Sequence, residues 1–113
     1  MKIDDLVSLV QKYSDGYLCF PFENPKRPSQ IKTHVIKHKS NNKIIAIILV
    51  KDKQLLINLK LTPAHIQEMR DIRGIIPGYH MNKKHWNSIL VNDTDLSKIE
   101  LINMIKESAK LTK

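Results

Sequence analysis

The chain has 113 residues and a net charge of +8, and we expect residues 1–113 to form a single domain with one core between two packed layers. Apolar residues make up 42% and charged residues 27%, a globular balance, and no apolar run reaches the roughly 18 residues of a membrane span. Two acids stand where a secretory signal would be positive, and Cys19 is the single cysteine, so we expect a cytoplasmic protein with no membrane association.

The first amphipathic stretch predicts a helix over Ile3 to Tyr13, with two acids in its first turn. Its apolar residues follow helical spacing: Ile3, Leu6, Val7, Val10 and Tyr13. A short extended segment is predicted over Tyr17 to Phe20, and Pro21 ends it. Residues 23–30 hold two prolines and predict a loop.

Three strands are predicted next. Residues 33–39 alternate weakly, as an edge strand does, whereas residues 44–50 are apolar on both faces and predict a central strand. Turns are expected at residues 40–42 and 51–53. Residues 54–61 alternate, with Leu55, Ile57, Leu59 and Leu61 on one side and Leu56, Asn58 and Lys60 on the other.

The second half of the chain predicts a helix, a hairpin and a last helix. Thr62-Pro63 is a helix start, and we expect that helix to run to Gly74. Residues 75–81 and 86–91 predict a hairpin around the polar residues 82–84. Ser97 and Glu100 form a capping box. The apolar stripe of the last helix is predicted to hold Ile99, Ile102, Ile105 and Ala109. Helices and an antiparallel sheet in this order predict an α+β two-layer sandwich.

Neither catalysis nor a metal site is predicted. Cys19 has no local cation to activate it, no serine lies in a strand-turn-helix elbow, and no glycine-rich phosphate loop exists. His34 and His38 would lie roughly 13 Å apart in a strand, too far to share an ion. His80 and His85 would face each other if the hairpin closed on four residues, but further ligands are not identifiable. We therefore expect no enzyme activity, no cofactor and no metal.

The basic charge lies in the middle of the chain, where residues 24–60 hold nine basic residues against Asp52 alone. Such segregation favours an anionic partner, although a lysine-rich solvated surface is the alternative. Lys83 and Lys84 at the hairpin tip are candidates for phosphate contact. Tyr79 is the candidate for base stacking, because a strand-borne tryptophan such as Trp86 more often packs in the core.

The segment Ile76-Pro77-Gly78-Tyr79-His80-Met81-Asn82-Lys83-Lys84-His85-Trp86 resembles the central block of the MmcQ/YjbR family, small bacterial proteins labelled DNA-binding. Weaker matches are Pro21-Phe22, residues 43–46, residues 58–60 and Ser108. The chain departs from the family pattern at Ile45, where an aromatic residue is common, and at Ala109, where tyrosine is usual.

The resemblance implies a single YjbR-like domain with the secretion-chaperone-like order helix-β3-helix-β2-helix, in agreement with the elements above. It also implies a winged DNA-binding role. We expect a nucleic-acid-binding surface that uses Lys60, Tyr79, His80, Asn82, Lys83, Lys84 and His85. The alternative is a protein-interaction module, of the chaperone or adaptor kind, that holds another chain. A weaker third option is a small-ligand or metal site around His80 and His85.

Overall fold

A computed structural model of the protein describes residues 1–24, 26 and 31–113. The predicted loop at residues 23–30 lies partly outside them, since residues 25 and 27–30 are not described. The described residues form three helices and six strands. In chain order these are α1 (Ile3–Lys12), β1 (Gly16–Cys19), β2 (His34–His38), β3 (Ile44–Lys51), β4 (Gln54–Lys60), α2 (Pro63–Met69), β5 (Ile75–Pro77), β6 (Trp86–Leu90) and α3 (Lys98–Leu111).

The strands form one antiparallel sheet in the order β1-β2-β3-β4-β6-β5, which confirms the predicted α+β class. The short extended segment predicted before Pro21 is strand β1, so the sheet has six strands. Because β1 pairs along β2, the prediction that residues 33–39 form an edge strand was wrong. The central position of β3 is confirmed, and β3 joins β4 through Asp52 and Lys53, which both adopt positive φ.

One face of the sheet, here called the helical face, packs against the helices. Its core contains the predicted row of β4, namely Leu55, Ile57, Leu59 and Leu61. All three helices contribute to the same core: α1 through Leu6, Val7 and Val10, α2 through Ile66 and Met69, and α3 through Leu101, Met104, Ile105 and Ala109. The stripe predicted for α3 was therefore wrong in part, because Ile99 is 73% exposed. The helix is rotated so that Leu101 and Met104 face the sheet.

The helix starts were easier to predict than the helix ends. Thr62 caps α2 through its hydroxyl and Pro63 is the first helical residue, as expected. The helix ends at Met69, earlier than the Gly74 end predicted from the sequence. Gly74 instead occupies a positive φ of 90° in the turn before β5. The capping box of Ser97 and Glu100 is confirmed at the start of α3. No helix within the described residues is both long and apolar enough to cross a membrane.

Candidate nucleic-acid interface

The sheet face opposite the helices, here called the non-helical face, carries a second apolar cluster. Its buried residues are Val35, Ile47, Leu49 and Leu56, and Tyr79 and Met81 of the β5–β6 loop pack against them. Beside the cluster lies a cleft of about 400 Å³, here called the apolar cleft. The cleft is lined by side chains from the sheet and from two loops, including Phe22, Ile44, Ile47, Asn58, Tyr79 and His80.

A buried polar network holds the β5–β6 loop on this face. The Tyr79 amide donates to Ser88 Oγ at 2.9 Å, and Asn58 Nδ2 donates to the Tyr79 carbonyl at 3.0 Å. The Ser88 hydroxyl in turn donates to Asn58 Oδ1. Asn58 and Ser88 are fully buried cross-strand neighbours, so each polar group needs a partner and finds it in this network. The network places Tyr79 at the edge of the apolar cleft.

The loop between β5 and β6 is also closed on itself. Asn82 Oδ1 accepts from the Lys84 amide at 2.9 Å, and the Asn82 carbonyl accepts from the Trp86 amide at 3.0 Å. The Lys83 ammonium donates to the Gly78 carbonyl at 3.1 Å. Only glycine fits at Gly78 without movement, because a Cβ there would lie 2.9 Å from the Trp86 carbonyl oxygen. Asn82 and Lys83 therefore shape the loop.

A second recess, of about 500 Å³, lies where β2, β3, β4 and β6 end near the C-terminus of α3. Its lining includes Lys37, Lys43, Lys60 and Trp86, so we call it the basic recess. Lys60 and Trp86 are cross-strand partners that both line this recess, and Trp86 is half-buried. Lysines and an aromatic side chain in one recess are a combination that single-stranded nucleic-acid-binding surfaces use.

The apolar cleft and the basic recess adjoin, because Phe22 and Ile44 line both. Lys51 adds a further cation, with its ammonium 4.5 Å from the centre of the Tyr79 ring. Within the described residues, the lining of the two recesses contains no aspartate or glutamate. The non-helical face therefore carries positive charge and apolar surface side by side.

The predicted site residues are distributed over this surface. Tyr79 and His80 line the apolar cleft, and His80 does so at a positive φ of 56°, which is uncommon outside glycine. Lys60 lines the basic recess, whereas Lys84 is exposed and His85 is half-buried. Because the strands pair only as far as Pro77 with Asn87, His80 and His85 are not cross-strand neighbours as the four-residue closure required. Among the described residues, no group of three or more potential ligands could hold a metal ion.

Other residues of the surface were not singled out from the sequence. Lys37 and Lys51 were noted only as part of a general positive charge, Lys43 also as part of a family match, and Phe22 only as a family match. Trp86, which was expected to pack in the core, is half-buried and lines the basic recess. The alternation of β4 placed Lys60 on the face opposite the main core. Because Trp86 pairs with Lys60 across the β4–β6 ladder, extending the alternation to β6 would have placed Trp86 on the same face.

Comparison with known protein families gives one strong match. A sequence model of the YjbR family matches residues 9–111 of this chain. The uncharacterized protein YyaQ of Bacillus subtilis (strain 168) is 36% identical, over 69% of this chain and 74% of that protein.

Two solved structures have a similar fold. The crystal structure of a protein from Pseudomonas syringae is 28% identical and superimposes with a TM-score of 0.82, covering 100% of both chains. A Deinococcus radiodurans protein with a DUF419 domain has a TM-score of 0.72 at 24% identity, covering 97% of this chain and 77% of that one. The second likeness concerns the fold alone.

Proposed function

The chain belongs to the YjbR family, as its signature predicted, and we propose that it is a non-enzymatic nucleic-acid-binding protein that contacts DNA through the non-helical face. The observation that carries the proposal is the convergence of Lys37, Lys43 and Lys60 on one recess beside Trp86. Lys37 lies on β2, Lys43 directly precedes β3 and Lys60 ends β4, so the fold concentrates charge that the sequence spreads over 24 residues.

The placement of several acids supports the same choice of face. Asp93 and Asp95 form ion pairs with Arg73, which raise the pKa of that guanidinium above its usual value. Asp15 contacts His38, and Glu107 pairs with His65 at 3.0 Å. None of these acids lines the apolar cleft or the basic recess. A polyanion approaching the non-helical face therefore meets lysines that these carboxylates do not neutralise.

Within this proposal the predicted residues have different roles. Lys60 and Lys84 contact phosphate together with Lys37 and Lys43, and His85 lies at the border of the phosphate-binding surface. Tyr79 and His80 face the bases. Asn82 and Lys83 act indirectly, by holding the loop that presents Tyr79.

The test is DNA binding at low and at moderate salt. Because each phosphate contact releases condensed counterions, affinity should fall steeply as salt rises. Replacing Lys37 and Lys43 together by glutamine should weaken binding and reduce the salt slope by about two. Replacing Lys2 and Lys98, which are exposed and line neither recess, changes the net charge equally and should have a much smaller effect. The absence of binding at low salt, or equal losses in both double variants, would contradict the proposal.

A second candidate function is a protein-interaction module. Its supporting observation is the apolar character of the cleft together with Phe22, which is 59% exposed. A partner protein that remains bound after nuclease treatment, and is released by Phe22→Ala but not by the lysine substitutions, would favour this function over DNA binding.

A further inference from the structure

The non-helical face presents two kinds of chemistry to one ligand. The basic recess and the apolar cleft share Phe22 and Ile44, and β4 contributes Lys60 to the first and Asn58 to the second. Two residues along a strand are about 6.5 Å apart, so a short ligand reaches both. That ligand needs anionic groups at one end and flat or apolar groups at the other.

Aromatic rings stand at both parts of this surface. Trp86 lies in the basic recess, Tyr79 lies in the apolar cleft, and Phe22 lies between them. Lys51 places its ammonium 4.5 Å from the Tyr79 ring centre, so positive charge continues past the cleft. Aromatic side chains next to lysines are the arrangement that binds unpaired bases by stacking and their backbone by charge.

A regular duplex does not match the apolar half of the surface. Its bases are stacked and paired inside the helix, and a base enters a protein cleft only after it is flipped out at an energetic cost. A single strand offers its bases freely, and the cleft of about 400 Å³ lies in the usual range of small-ligand sites.

We propose that the preferred ligand of the non-helical face is a single-stranded nucleic acid. Its phosphates lie along Lys37, Lys43 and Lys60, one base stacks on Trp86, and a neighbouring base enters the apolar cleft beside Tyr79. This inference rests on the proposed nucleic-acid-binding function and specifies its ligand.

The experiment compares three labelled probes of about a dozen nucleotides at the same low salt: a single strand, a duplex, and a strand of abasic sites with the same number of phosphates. The single strand should bind about tenfold or more tightly than the abasic strand. It should also quench the fluorescence of Trp86, the only tryptophan in the chain, whereas the abasic strand should not.

A matched pair of variants locates the base contact. Phe22→Ala removes an exposed ring from the border of the two recesses and should weaken binding of the single strand but not of the abasic strand. Ile99→Ala removes an exposed apolar side chain on α3 and should change neither.

The outcomes separate this inference from the function on which it rests. Equal binding of the single and abasic strands, or tighter binding of the duplex, would overturn the single-strand assignment and leave DNA binding intact. Failure of all three probes to bind would overturn both. If polyglutamate of matching charge displaced the labelled single strand as well as an unlabelled single strand does, the ligand would instead be an acidic protein segment.

Discussion

Lys83 and Lys84 are neighbours in the sequence, but their side chains have different surroundings. The Lys83 ammonium donates to the Gly78 carbonyl at 3.1 Å, and the Lys83 carbonyl accepts a hydrogen bond from Arg70. Both lysines are exposed residues of the same loop, so the contact with Gly78 is what separates them. The Lys83 side chain therefore helps to hold the loop closed, whereas the Lys84 side chain does not bind the Gly78 carbonyl. Residue type alone does not distinguish them.

We expect Lys83→Met to destabilise the fold and Lys84→Met to leave it unchanged. Methionine keeps the length of the side chain but removes the donor to Gly78, which should lower the free energy of unfolding by about 0.5–1.5 kcal/mol. Urea denaturation followed by circular dichroism measures the change. Equal stability of the two variants would mean that the contact with Gly78 contributes nothing.

At the scale of the elements, α3 completes the sheet where two strands separate. The β3–β4 ladder ends at Ala46 and Leu59. Just beyond it, the buried Ser108 hydroxyl donates to the Ile45 carbonyl at 2.6 Å and accepts from the Lys60 amide at 3.0 Å. One side chain of α3 thus replaces a missing rung of the ladder and holds Lys60 beside the basic recess.

Ser108→Ala should therefore be costly for its size. It removes the partner of the buried Ile45 carbonyl and of the part-buried Lys60 amide, and an unsatisfied buried group costs about 1–3 kcal/mol. Ser8→Ala is the matched control, because Ser8 is exposed on α1 and its replacement should be neutral within about 0.5 kcal/mol. Equilibrium unfolding of both variants gives the comparison. A loss at Ser108 no larger than that at Ser8 would show that the strands close without the hydroxyl.

The end of α3 is attached to the sheet by a second polar chain. His38, fully buried on β2, contacts the Asp15 carboxylate through Nδ1 and the Thr112 hydroxyl through Nε2, the latter at 2.8 Å. The hydrogen bond from His38 lowers the pKa of Asp15 below its usual value. Because Asp15 lies before β1 and Thr112 follows α3, this chain joins elements from both halves of the sequence.

The lowered pKa of Asp15 predicts a pH dependence of stability. A carboxyl group whose folded pKa is depressed stabilises the fold above its unfolded pKa and loses that contribution as pH falls through the folded pKa. The stability difference between wild type and Asp15→Asn should thus be largest above about pH 5 and shrink in acid. Asp71→Asn, on an exposed residue, serves as the control. Urea unfolding from pH 7 downwards tests this, and a difference that persists unchanged in strong acid would contradict it.

At the scale of the whole molecule, the two faces of the sheet are chemically unlike. The helical face is buried beneath the helices, whereas the non-helical face carries lysines, aromatic rings and two recesses. Residues from distant parts of the chain, such as Phe22 and Trp86, meet only there. Three of the lysines that contribute to the net charge of +8, namely Lys37, Lys43 and Lys60, therefore line one recess on the surface opposite the helices.

Ligand binding should leave a footprint on one face. We expect single-stranded DNA to slow amide hydrogen exchange in the loop of residues 78–85 and in the turn around Phe22, while the outer surfaces of α1 and α3 remain unchanged. Hydrogen exchange with and without DNA measures the pattern. The variant with Lys37 and Lys43 replaced by glutamine, at the same DNA concentration, should lose the protection. Protection confined to α1 or α3 would place the site on the helical side of the sheet and contradict the proposal.

The sequence by itself determined the class of the fold, the family, and most element starts, because these depend on local patterns. Each of these patterns lies in a short continuous stretch of sequence: the alternation of β4, the Thr62 and Ser97 caps, and the signature block. The exposed side of Ile99, the early end of α2 and the internal contact of Lys83 depend on packing between distant segments. So does the basic recess, since Lys37, Lys43 and Lys60 meet only after three strands pair in register. Charge and periodicity are properties of the chain, whereas which charges share a surface is decided by the tertiary structure.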